Sequence, residues 1–107
     1  MDDELLAYNV VISQKAYEVL GRHSAFLARV STSAAKRLAV SFRDAAKSLE
    51  QMPERFPFYK NDYMIRGKYR YILVEKWYIV LYKIEGSDVY IDLVIDGRQD
   101  DKRFWLR

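Results

Sequence analysis

Apolar and polar positions alternate most clearly near the end of the chain. Val89, Ile91, Leu93 and Ile95 share one parity there, and Tyr90, Asp92, Val94 and Asp96 share the other. A period of two is that of a strand with one buried face, so the pattern predicts a strand over Asp88 to Asp96. Two further β-rich runs precede it, Tyr69 to Glu75 and Trp77 to Ile84, and Glu85-Gly86-Ser87-Asp88 carries turn chemistry between the last two strands. Near the start, after a short N-terminal extension over 1–7, Tyr8 to Ser13 is rich in β-branched residues and predicts a first short strand.

Between these strand-period regions the spacing becomes helical. Ala16, Leu20, Leu27 and Val30 recur at three to four residues, with Val19 and Phe26 beside them, which predicts a helix over Gln14 to Val30. Ser31-Thr32-Ser33 supplies N-cap hydroxyls for a second helix, whose apolar face is Ala35, Leu38, Phe42, Ala45, Ala46 and Leu49. Its other face, Lys36, Arg37, Arg43, Asp44, Lys47 and Glu50, reads as a solvated surface. The helix should stop near Met52, because Pro53 disfavours helical geometry in the residue before it. The predicted fold is therefore α+β, in the order β-α-α-β-β-β, with a helical hairpin packed on one face of a mostly antiparallel sheet.

Composition narrows the setting. At 107 residues the chain fits a single domain with one core. Cysteine is absent, so disulfides and thiolate metal sites are excluded, in keeping with a reducing cytosol. The first residues, Met1-Asp2-Asp3-Glu4, are acidic where a secretory signal would be basic, and no apolar run reaches the length of a membrane span. A cytoplasmic protein with no membrane partner is expected. The formal charge of +3 is too small to identify a nucleic-acid reader.

Candidate chemistry is sparse. His23 is the only histidine, and it falls in step with Ala16, Leu20, Leu27 and Val30, as a half-buried packing residue would. No multi-histidine metal site or Ser-His-Asp triad fits it. Asp92, Asp96, Asp100 and Asp101 lack a recognised metal-ligand spacing, and the four glycines are too scattered for a phosphate loop. No metal and no cofactor is expected. Tyr69, Tyr71, Trp77, Tyr78, Tyr82 and Tyr90 could stack bases, but aromatics are favoured in strands for packing alone.

The element order carries a resemblance. Pro53-Glu54-Arg55-Phe56-Pro57 follows the second helix, Tyr78-Ile79-Val80-Leu81-Tyr82 forms the third strand, and Val94-Ile95-Asp96-Gly97-Arg98-Gln99-Asp100 ends the fourth. Together they resemble the RelE/ParE superfamily of type II toxin–antitoxin toxins, over roughly residues 8 to 104. The stretch His23 to Ser31 is similar to the first-helix end of plasmid-stabilisation toxins in this group. The resemblance implies a growth-inhibiting toxin that forms a heteromeric complex with a cognate antitoxin. Two branches follow from it: RelE-like nucleases that cut mRNA on the ribosome, and ParE-like poisons of DNA gyrase.

RelE-like nucleases carry an arginine just after the first tyrosine of the third-strand motif, where this chain has Ile79. A nuclease built here would rely on Arg70, Lys76, Lys83 and Arg98 as cations, with Tyr82 or Tyr90 for proton transfer or stacking. Regular alternation would put Asp92 and Asp96 on the face of Arg98, where like charge opposes a phosphate by a few kcal/mol at an effective dielectric of about 20. The ending Asp-Gly-Arg-Gln-Asp is similar to the His-Gly-Arg-x-Asp ending of ParE-like proteins, with Asp96 in place of histidine. A third alternative is a degenerate toxin that retains antitoxin binding alone. For antitoxin or target binding, Ile72, Val74, Ile79 and Leu81 are expected to present apolar surface. Arg98, Lys102, Arg103 and Arg107 would then meet acidic residues of the partner.

Overall fold

The computed structural model describes residues 7–60 and 66–98. The elements are β1 (Asn9–Ile12), α1 (Gln14–Ala28), α2 (Thr32–Ser48), β2 (Arg70–Val74), β3 (Tyr78–Glu85) and β4 (Asp88–Asp96), with a 3-10 turn at Pro53–Arg55. This is the expected order, and the helical pair covers one face of the sheet.

Serines start both helices. Ser13 caps α1 by accepting from the Ala16 N–H at 3.0 Å, and Ser31 caps α2 by accepting from the Ala34 N–H at 3.1 Å. Helix α1 ends before Val30, which lies beyond the Arg29 C-cap and is exposed, as is Phe26. Helix α2 ends at Ser48, short of the expected stop near Met52, and the Arg55 side chain folds back onto the carbonyls at and after its end. The Arg55 guanidinium donates to the carbonyls of Ser48, Gln51 and Met52 at 3.3, 2.5 and 3.0 Å. Met52 then turns left-handed at φ 49° and delivers the chain into Pro53. No helix of the described residues is long and apolar enough to cross a membrane.

The sheet order is β1-β4-β3-β2. Strands β2, β3 and β4 run antiparallel, whereas β1 lies parallel to β4 at the edge. Glu85 pairs with Asp88 around a two-residue loop whose first residue, Gly86, has φ +62°, the conformation that a type II′ hairpin asks of a glycine. Ala16, Leu38, Phe42, Ala46 and Leu49 from the helices meet Ile72, Val74, Tyr78, Val80, Tyr82, Val89, Ile91 and Val94 from the sheet. Burial of such apolar surface is the main favourable contribution to folding.

One departure from regular alternation reorganises the end of β4. Tyr82 pairs with Ile91 and Leu81 with Leu93, so Asp92 has no residue opposite it and forms a β-bulge. Beyond it the parity inverts. Val94 and Asp96 turn to the helices, as Val89 and Ile91 do, while Leu93 and Ile95 pair with Leu81 and Ile79 on the far side. The expected grouping of Val89, Ile91, Leu93 and Ile95 on one side therefore holds only up to the bulge.

Candidate functional site

At one end of the sheet the β2–β3 turn meets the end of β4, and several constrained contacts converge there. Glu75 and Lys76 both have positive φ, 46° and 76°, and neither is glycine. The Trp77 N–H donates back to the Glu75 carbonyl at 3.0 Å, closing a three-residue turn around Lys76. Such conformations are costly for residues with a Cβ, and neighbouring contacts must hold them. Glu75 supplies two: it accepts from the Ser41 hydroxyl at 2.6 Å and pairs with Arg37 at 3.5 Å. Beside the turn lies a groove of about 320 Å³, lined by Leu27, Ala34, Arg37, Glu75, Lys76, Trp77 and Tyr78.

Gly97 ties this turn to β4. Its N–H donates to the Trp77 carbonyl at 2.8 Å, and a Cβ on residue 97 would stand 2.8 Å from that same oxygen. Arg98 then folds back over the junction. Its Nε and Nη2 donate to the Asp96 carboxylate at 3.0 and 2.8 Å, its backbone N–H donates to Asp96 at 3.0 Å, and its guanidinium lies 4.4 Å from the Trp77 ring centre. Among the described residues Asp96 is the one buried charged side chain, at 5% exposure. Burial pushes its carboxyl up, but the hydrogen bonds and charge of Arg98, with a smaller contribution from His23, outweigh this and hold it below the usual aspartate value.

His23 packs as its helical register suggested. Its ring lies 5.2 Å from the Tyr78 ring, and its Nε2 donates to the Val94 carbonyl at 3.1 Å. The Tyr78 phenol is pushed up, first by burial and then by the charge of Asp96.

The six residues expected for RNA cleavage do not converge. Arg70 donates to the Glu54 and Phe56 carbonyls at 2.9 and 2.6 Å and stacks 4.0 Å from the Phe58 ring, which clamps the segment after α2. Tyr82 is fully buried with its hydroxyl on the Pro53 carbonyl at 2.7 Å, and burial pushes its phenol up to about 12. Lys83 sits on the far side between Asp92 at 3.7 Å and Glu85 at 3.6 Å. There Tyr69 donates to Asp92 at 2.6 Å, and Tyr90 lies 3.4 Å from Asp88. Lys76 and Arg98 belong to the opposite end of β3, about 20 Å from Lys83 at strand rise. Asp92 and Asp96 do not share a face either, since the bulge sends Asp96 to the helices.

The expected apolar binding surface also changes. Ile72 and Val74 face the helices and are buried, and Leu81 is buried although it lies on the far side. Ile79 is half-buried, and the exposed apolar residues near it are Leu73 and Trp77. Leu73 was legible as the residue between Ile72 and Val74, and thus on the opposite face. Lys102, Arg103 and Arg107 lie outside the described residues. Among the described residues no group of three or more His, Asp or Glu side chains is placed to hold a metal ion.

Neither a protein-family model nor a curated protein sequence matches the chain. Among solved structures, a chain of the chromosomal ParDE TA system from P. aeruginosa is similar, with a TM-score of 0.66 and 14% identity. The match covers 84% of this chain and 96% of that one. At this identity the likeness is one of fold: two helices packed on a four-stranded sheet, the arrangement shared with that chain.

Proposed function

We propose that this chain is the toxin half of a type II toxin–antitoxin module, acting by contact with a protein target and silenced by a cognate antitoxin. The observation that carries the reading is the fold likeness to the ParDE chain, which spans almost all of that chain. DNA gyrase is the proposed target, following the resemblance of the Asp96-Gly97-Arg98 ending to ParE-like proteins.

Action by binding is favoured over RNA cleavage by the dispersal of the cations. Metal-free cleavage needs a proton acceptor and several cations around one phosphate. Here Arg70 is engaged by backbone carbonyls, Tyr82 is buried, and Arg98 is paired with Asp96. A protein contact asks for less: apolar and planar groups at the surface with nearby donors. Leu73, Ile79, Trp77 and Arg98 supply these.

Inducible expression of the chain alone should arrest growth, and co-expression of a small acidic protein encoded beside it should restore growth. Purified chain should inhibit gyrase supercoiling. Arrest with supercoiling intact would exclude gyrase as the target. Cleavage of mRNA in translating ribosomes, lost in Arg98→Ala, would favour the nuclease instead, and no growth defect at all would indicate a chain that only binds its antitoxin.

A further inference from the structure

A guanidinium holds an oxyanion through one of its paired N–H edges. In Arg98 the side-on edge, Nε with Nη2, is already closed on the Asp96 carboxylate at 3.0 and 2.8 Å. The carboxylate is buried, and it accepts the Arg98 backbone N–H at 3.0 Å as well. The guanidinium is fixed from beneath by the Trp77 ring at 4.4 Å, with the Tyr78 ring 5.9 Å away. Gly97, between Asp96 and Arg98, is held close to the β2–β3 turn, since its N–H is bonded to the Trp77 carbonyl and the space around it does not admit a Cβ.

The Arg98 side chain is nonetheless 44% exposed, so it is a surface group whose charge is balanced internally. A phosphate approaching it meets a neutral pair, and the attraction that nucleic-acid contacts depend on is largely cancelled. A peptide carbonyl is a neutral acceptor and needs only an N–H donor beside an apolar plane, which Arg98 and Trp77 provide together.

We infer that Asp96 is the specificity-determining residue of this surface, withholding Arg98 from nucleic-acid phosphate. The inference rests on the protein-binding function proposed above and names the residue that enforces it. It assigns Asp96 a positioning role, exerted through Arg98.

Fluorescence anisotropy with a short labelled oligouridine tests it. Asp96→Asn should bind about tenfold more tightly than the wild-type chain, the gain of one charge-assisted contact. The dependence of log affinity on log salt should steepen by about 0.7, the increment for one single-strand phosphate. Both gains should vanish in Asp96→Asn/Arg98→Ala, whereas a general loosening of the fold would leave them in place. Unchanged affinity in folded Asp96→Asn, or a gain that survives loss of Arg98, would overturn the inference. If Asp96→Asn does not fold, nitrogen-15 NMR of the wild-type chain decides: a slowly exchanging Arg98 Nε–H is expected, and free exchange there overturns the pairing. Failure of growth arrest by the wild-type chain would instead overturn the toxin function and leave the RNA comparison intact.

Discussion

The Tyr82 hydroxyl donates a 2.7 Å hydrogen bond to the Pro53 carbonyl, joining the middle of β3 to the turn after α2 inside the core. Neither group has water as an alternative partner, since Tyr82 and Pro53 are both fully buried. Tyr82→Phe should therefore cost about 1–3 kcal/mol, the penalty for leaving a buried carbonyl unpaired. Urea denaturation should show a lower midpoint with an unchanged slope, and growth arrest should persist at temperatures where the variant stays folded.

Ile72 and Leu73 are neighbours on β2 with opposite fates, 7% and 55% exposed. Ile72→Ala should lose about 2–4 kcal/mol by emptying a packed core position. Leu73→Ala should change stability by less than about 0.5 kcal/mol, as surface substitutions usually do. Thermal unfolding of the pair separates a core residue from a surface residue, and under the proposed function Leu73→Arg should weaken association with the antitoxin in a pull-down.

Gly97 is required for space, not for a left-handed backbone. A Cβ would stand 2.8 Å from the Trp77 carbonyl oxygen, a backbone atom that cannot swing away. Gly97→Ala should destabilise the chain by about 1–3 kcal/mol, the range for overpacking. Differential scanning calorimetry reads this directly, and an unchanged Tm would contradict the close approach.

Asp96 predicts an acid dependence with a definite sign. Burial pushes its folded carboxyl up, but the hydrogen bonds and charge of Arg98 together outweigh this and hold it below the ordinary value of about 4. A depressed folded value contributes stability that is complete above the unfolded value and disappears as pH falls through the folded one. The stability difference between wild type and Asp96→Asn should thus be constant above about pH 5 and narrow below about pH 4. Urea midpoints across that range provide the check, and a difference that widened in acid would be inconsistent with the ion pair.

The elements and their order could be read along the chain, because those depend on local chemistry. Helical spacing through Leu38, Phe42 and Leu49, the capping serines Ser13 and Ser31, and the Gly86 turn each act within a few residues. The hairpin of helices on a sheet follows from the apolar faces these elements must bury. Relations between residues far apart in the chain emerged once the elements were packed together. The bulge at Asp92 is a property of the β3–β4 register, and that one unpaired residue sends Asp96 inward and reverses the reading of which carboxylates share a face. Ile72 and Val74 became core for the same reason, since alternation sorts residues into two faces but leaves open which face the helices cover. The Asp96–Arg98–Trp77 assembly was legible only as an Asp-Gly-Arg ending; its geometry required a turn some twenty positions upstream to come alongside and hold it.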